Sequence, residues 1–185
     1  DIILRSEIII TDTNISKESL DYIFNTFSKI PIFVDPVSTK KAKKISAYLD
    51  KIHTLKPNLS EAEAISGISI NNKKNLQLAA DWFHRKGLKR IFISMGKKGI
   101  YFSNASGSGS VSLNKELKVK NVSGAGDASM AALVNAFKKN YGIKKSAYQA
   151  LIAASLAVEN KSTVNPLLTT KKITRIYNEF ASKKK

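Results

Sequence analysis

Cysteine is absent from the 185 residues, which excludes disulfides and cysteine-ligated metals. No apolar run approaches the roughly 18 residues needed to span a bilayer. The opening stretch, DIILRSEIII, has neither the basic start nor the small-residue cleavage site of a secretory signal. These absences together predict a cytoplasmic protein with no membrane partner. Arginine is scarce too: of 31 basic residues only four are arginines, Arg5, Arg85, Arg90 and Arg175. Acidic residues number 14, so the net charge is +17. A polyanion such as nucleic acid is one reading of that charge, because Lys and Arg neutralise phosphates. Arginine, however, is the residue preferred for bidentate phosphate and base contacts. The lysines are scattered apart from the terminal SKKK. Charge of this kind bears on solubility and association rather than on a defined site, which argues against a nucleic-acid partner.

What is present suits a folded domain. Hydrophobic residues make up 43% and charged residues 24%, enough apolar material for a sizeable core at an ordinary surface charge. The length predicts a single domain over residues 1–185, with no internal repeat and no interdomain linker. Only six residues precede the first strand signal and no Met opens the chain, so the expectation is a piece of a longer protein.

Strand and helix signals alternate. Short apolar, β-branched runs predict strands at 7–11, 31–35, 52–56, 90–95 and 99–104. Helical spacing predicts helices at 15–29, with Ser16 as cap, and at 39–51, 59–66 and 74–87. Residues 105–113 and 115–122 read as short strands or a ribbon, followed by helices at 125–140, 145–160 and 170–182. Repeated β-α units predict an α/β fold with a parallel sheet covered by helices. In such sheets ligands bind outside the carboxyl ends of the strands. Asp35, Asn58, Gly96 and the SGAGD loop all follow predicted strands.

The segment NVSGAGDAS (121–129) raises a question of chemistry. Gly124 and Gly126 let the backbone approach a ligand with no Cβ in the way. They lead into a helix whose first N–H groups lack internal partners and, with the helix dipole, form an anion site. Asp127 placed there makes sense if its carboxylate accepts a proton from an attacking hydroxyl while the amides hold a migrating phosphoryl group. The plain alternative is a glycine turn with Asp127 as an ordinary first-turn acid. The loop is neither a phosphate loop ending in Gly-Lys-Ser/Thr nor a GxGxxG. From the residues alone both readings stand.

VSGAGDA resembles the C-terminal signature of the ribokinase-like (PfkB) carbohydrate kinases. KPNLSEAEAISG (56–67) resembles that family's Asn-x-x-Glu segment, and ISMGKKGIYF (93–102) its nucleotide-side strand–turn–strand. Their order and approximate spacing agree as well. The resemblance covers essentially the whole chain but corresponds to the later part of such kinases. The family's first third, which supplies lid strands and most sugar contacts, has no counterpart. The implied fold is a ribokinase-like three-layer α/β/α sandwich, mostly parallel, without its N-terminal part and lid.

The implied activity is transfer of the γ-phosphoryl group of ATP, with Mg²⁺, to a primary hydroxyl of a small-molecule sugar or nucleoside. PIFVDPVSTKKAKKI, IHTLKPN, NVSGAGDA and TVNP (163–166) resemble one branch of the family, for which pseudouridine, giving its 5′-phosphate, is the implied acceptor. A homodimer of the full-length protein is also implied.

The resemblance assigns roles. Asp127 corresponds to the catalytic base, and Gly124, Ala125 and Gly126 to the anion hole, with Ser123 just before them. Asn58 and Glu61 correspond to the pair that organises Mg²⁺ and the phosphates, Glu61 through water. Helix capping is the structural alternative for both, and the two roles are compatible. Ser94, Gly96 and Gly99 correspond to the ATP-side turn, against the alternative of a plain hairpin. Lys40, near Asp35, either reaches a phosphate or is one more solvated lysine. The small residues Ala150, Ala153, Ala154 and Ala157 either floor an adenine pocket or pack helices. Many family members carry Asp where this chain has Asn121, and that acid helps bind a monovalent cation; the loss of charge argues against K⁺. His53 and His84 lie in no acid–nucleophile pattern and read as structural or surface residues. A nucleotide-binding remnant without turnover, and a basic nucleic-acid-binding module, are the rival functions.

Overall fold

The computed structural model describes residues 2–113 and 118–182. Within them the chain forms two compact units, Asp1–Gly96 with Tyr101–Ser108, and Lys97–Ile100 with Gly109–Lys185.

In the first unit, strands β1 (Ile9–Asp12), β2 (Ile32–Asp35), β3 (Thr54–Leu55) and β4 (Arg90–Ser94) alternate with helices. β1 pairs parallel with β2, β2 with β3, and β3 with β4. The six-stranded sheet runs in the order β1-β2-β3-β4-β5-β6, with β5 at Ile100–Asn104 and β6 at Gly107–Val111. Ile32, Phe33 and Val34 are all buried although alternate side chains point to opposite faces. That pattern requires cover on both faces, as in a parallel α/β sheet. The α/β reading of the sequence therefore holds.

The helices form where apolar spacing and caps coincide. In α1 (Lys17–Thr26) the Ser16 hydroxyl accepts from the Ser19 amide, and Leu20 and Phe24 turn inward one helical turn apart. α3 (Leu59–Ser66) and α4 (Lys73–Arg85) are capped by Asn58 and Asn72. Leu76, Ala79, Ala80 and Phe83 carry the buried face of α4. Phe83 is fully buried in the first unit's core with Ile91 and Ile93, so Phe83→Ala would cost about 3–5 kcal/mol.

The single helix expected over 39–51 is not there. Four α-helical residues, Thr39–Ala42 (α2), give way to a 3-10 stretch, Lys43–Lys51, broken at Tyr48 (φ −122°, ψ 15°). The buried residues Ala42, Ile45 and Tyr48 recur every third position, which suits three residues per turn. Tyr48 stacks on Phe24 with ring centroids 4.8 Å apart. Tertiary packing there outweighs helical propensity.

In the second unit, α5 (Ala125–Lys138), α6 (Ile143–Val158) and α7 (Thr170–Ser182) build a separate core. Ala128 and Ala132 of α5 meet Ile152, Ala153 and Ala157 of α6, closed by Ile173 of α7. Packing of α6 against α5 thus accounts for Ala153 and Ala157. Residues 118–122 form no strand; the expected ribbon's other residues, 115–117, lie outside the described residues. Among the described residues, no helix is long and apolar enough to cross a membrane.

Candidate functional site

Parallel register brings several of the predicted residues of the first unit to the carboxyl edge of β1–β4. Asp12 and Asp35 are register partners at the ends of β1 and β2. Asn58, beyond the end of β3, bridges Ser94 at the end of β4. The Ser94 amide donates to the Pro57 carbonyl at 2.8 Å, and its hydroxyl to the same oxygen at 3.3 Å.

Asn58 and Glu61 form a reciprocal capping box. Asn58 Oδ1 accepts from the Glu61 amide at 2.9 Å, and Glu61 Oε2 accepts from the Asn58 amide at 2.9 Å. The box leaves Glu61 Oε1 unused. Glu61 is buried while Asn58 is exposed. Burial pushes the Glu61 carboxyl above its usual range; the Asn58 backbone hydrogen bond opposes this, and the nearby Asp35 carboxylate adds to it. Capping is therefore an observed role of both residues. One buried carboxylate with an uncommitted oxygen suits an outer-sphere contact to Mg²⁺, which keeps several waters and takes few carboxylates.

Two residues that sequence reasoning did not assign complete this corner. Lys56, buried, places Nζ 2.7 Å from Asp35 Oδ2. Thr13, fully buried, donates its hydroxyl to the Pro36 carbonyl. The available signal for Lys56 was a lysine directly behind an apolar strand and ahead of Pro-Asn, where a solvated lysine has little reason to sit. Lys40 is exposed on α2. Its neighbours are the lysines with partners: Lys41 Nζ meets Asn14 Oδ1 at 2.6 Å, and Lys44 Nζ donates to the Thr13 and Ile15 carbonyls at 3.1 and 3.0 Å.

The histidines are structural. His84 joins the Leu88 carbonyl through Nδ1 and the Ser103 hydroxyl through Nε2, each at 2.8 Å. His53 stacks on Phe33 and meets the Thr54 hydroxyl at 2.9 Å. Burial, with Arg90 and Lys89 adding to it, lowers the His53 pKa to about 4.

The two glycines of the 96–99 turn differ. Nothing lies within 4 Å of a Cβ built on Gly96. A Cβ on Gly99 would stand 1.9 Å from the Val111 carbonyl oxygen, at φ +96°. Close backbone packing explains Gly99 without a ligand.

In the second unit, α5 begins on Gly124 at φ +78°, with no side-chain cap. Its first amides, at Ala125, Gly126 and Asp127, precede the first internal hydrogen bond, Ala128 N to Gly124 O at 2.9 Å. Asp127 is exposed in this first turn. A Cβ on Gly124 would fall 2.2 Å from the Thr163 carbonyl oxygen, so the loop packs directly against residues 160–163. Asn121 stitches the two together. Its Oδ1 accepts from the Ser123 amide at 2.9 Å, and its Nδ2 donates to the Lys161 carbonyl at 3.1 Å. The Lys120 amide donates to the Val158 carbonyl at 2.7 Å.

Residues 13–170 match the pfkB family of carbohydrate kinases. The chain is 41% identical over 167 residues to pseudouridine kinase of Escherichia coli K12, covering 90% of this chain and 53% of that protein. It superposes on a crystal structure from Clostridium perfringens described as a sugar kinase, with TM-score 0.91 and 27% identity, over 96% of this chain and 56% of that one. Arabidopsis thaliana ribokinase, solved with ribose and ATP, superposes with TM-score 0.80 over 95% of this chain and 57% of that one; at 21% identity it speaks to the fold alone. The chain spans about half the length of the curated relatives it matches.

Proposed function

The chain belongs to the pfkB family of carbohydrate kinases, and from that premise we propose that it serves transfer of the γ-phosphoryl group of MgATP to a primary hydroxyl of a sugar or nucleoside. Pseudouridine, giving the 5′-phosphate, is the preferred acceptor, supported by the 41% identity to a pseudouridine kinase. The observation that carries the reading is an exposed carboxylate, Asp127, in the first turn of a helix whose leading amides have no side-chain cap.

Phosphoryl transfer asks mainly for positioning and charge stabilisation. The amides of Ala125, Gly126 and Asp127, aligned with the α5 dipole, hold the transferring group's oxygens. Asp127 orients the acceptor hydroxyl and takes its proton as the acceptor oxygen bonds to the γ-phosphorus. The bond from that phosphorus to the bridging oxygen breaks, and ADP leaves with the electron pair. Mg²⁺, when bound, neutralises phosphate charge; Glu61 through water, with Asn58, would hold it. Ser94 and Gly96 serve the nucleotide side, while Gly99 is fixed by packing.

Asn121 is a poor ligand for a monovalent cation, because it is uncharged and its side chain is already engaged on both sides. One of its side-chain atoms already donates to the Lys161 carbonyl, and the other already accepts from Ser123.

The test is phosphoryl transfer from labelled ATP to a panel of acceptors: pseudouridine, uridine, ribose and fructose 6-phosphate. Pseudouridine is expected to give the fastest transfer. Transfer to another member at a higher kcat/KM overturns the acceptor assignment. The half-length match to relatives favours one second reading, a chain that binds MgATP without turnover. Calorimetric titration with MgATP beside the transfer assay separates binding from catalysis.

A further inference from the structure

We propose that the Asp35–Lys56 ion pair positions the corner formed by Asn58 and Glu61, with Lys56 a positioning residue that acts through them on the metal-bound nucleotide. The inference rests on the kinase reading above and adds to it a device built around a buried lysine.

Lys56 is 6% exposed, and a lysine so buried is costly unless paired. Its partner is Asp35, 2.7 Å away at the end of the neighbouring strand. A buried pair of this kind is seldom more stabilising than a well-packed apolar pair, so stability alone is a poor reason for it. Its place in the chain supplies a better one. Lys56 immediately precedes Pro57 and Asn58, and the Pro57 carbonyl is held from the other flank by Ser94. The segment that presents Asn58 is thus fixed on the β2 side by charge and on the β4 side by hydrogen bonds.

Asp35 carries a second load. Its Oδ1 accepts from the Val37 amide at 3.3 Å. Val37 sits at φ +62°, a left-handed conformation that a β-branched residue adopts only when its surroundings enforce it. The adjoining Pro36 carbonyl takes the buried Thr13 hydroxyl. One carboxylate therefore ties a strained turn to the lysine ahead of Asn58. The corner holds two carboxylates, Asp35 and Glu61, with Lys56 as counter-charge to both. Removing the lysine leaves two acids in mutual repulsion, and the Asn58–Glu61 box is the part free to shift.

The experiment is calorimetric titration of the 185-residue chain with MgATP and, separately, with ATP in EDTA, alongside melting followed by circular dichroism. Wild type, Lys56→Met, Lys56→Arg and the double variant Asp35→Asn/Lys56→Gln are compared. Lys56→Met is expected to weaken MgATP at least about tenfold while metal-free ATP changes by less than about threefold. Lys56→Arg retains the charge and recovers most of the loss. The double variant removes one negative and one positive charge together and binds MgATP more tightly than Lys56→Met. Should Lys56→Met fail to fold, the double variant carries the test, with a smaller loss that is still confined to MgATP. Unchanged MgATP affinity overturns the inference, as does an equal loss of MgATP and metal-free ATP, which marks a purely structural pair. If wild type binds neither form of ATP, the kinase reading itself fails and takes this inference with it; if wild type binds and the variants match it, only the inference fails.

Discussion

Asn58 closes the amino end of α3 with its own side chain, whereas α5 opens on Gly124 and leaves its first amides without one. The two helix starts are assigned to the same reaction, yet they are built in opposite ways. At Asn58 the surroundings are tied together by a capping box, a lysine–aspartate pair and a carbonyl shared with Ser94, with Glu61 Oε1 left over. At Gly124 the backbone is fixed by close packing on the Thr163 carbonyl and by the Asn121 stitch, while the first amides have no side-chain cap and Asp127 is exposed. A group that must hold a ligand in place gains from being over-determined. A group that must receive a charged, moving phosphoryl gains from being rigid behind and unsatisfied in front.

That contrast breaks most sharply at Asp127. Asp127→Asn is expected to lower phosphoryl transfer by about 10²–10⁴-fold, the range of a lost general base, with little change in the melting midpoint because the residue is exposed. Rates from a coupled ADP assay check it.

Next in size is Gly124→Ala. It places a methyl group 2.2 Å from the Thr163 carbonyl at a left-handed φ, and a loss of about 2 kcal/mol in stability is expected. MgATP affinity falls with it, because the loop can no longer sit against residues 160–163. Thermal unfolding beside calorimetry reads both.

A smaller change sharpens the role of the stitch. Asn121→Asp turns a donor toward the Lys161 carbonyl into an acceptor, for a loss of about 1 kcal/mol. Potassium chloride is expected to restore the melting midpoint of this variant, tetramethylammonium chloride is not, and wild type is indifferent to the choice.

At neutral pH the smallest effect lies away from both helix starts. His53 is held neutral, its pKa lowered to about 4, against roughly 6.5 in an unfolded chain. The unfolded chain therefore binds a proton that the fold resists. Stability from this source is complete above about pH 6.5 and is lost as the pH falls toward 4. His53→Gln should flatten that part of the melting-against-pH curve.

Much of this was legible in the residues. Strand and helix order followed from apolar spacing, and the helix over 59–66 with Gly67 behind it was found as read. The start of a helix at 125 was legible in the loop at 124–127, whereas the residues alone left an anion site and a plain glycine turn equally open. What the sequence could not convey were contacts set by register. Asp35 and Lys56 stand 21 positions apart and meet only because β2 and β3 pair Val34 with Leu55. The kink at Tyr48 was hidden for a similar reason: the ring it stacks on belongs to α1, 24 positions earlier. Gly99 read as an open face for nucleotide, while its neighbour is the Val111 carbonyl, twelve residues on.

The proposed function sets Asp127 beside a site for negative phosphate, so the decisive measurement is the MgATP affinity of Asp127→Asn set against its rate of transfer. Loss of a proton acceptor that also repels the phosphates predicts an affinity equal to or tighter than wild type while transfer collapses. Affinity that falls in step with transfer, or transfer that survives near the parent rate, contradicts the account.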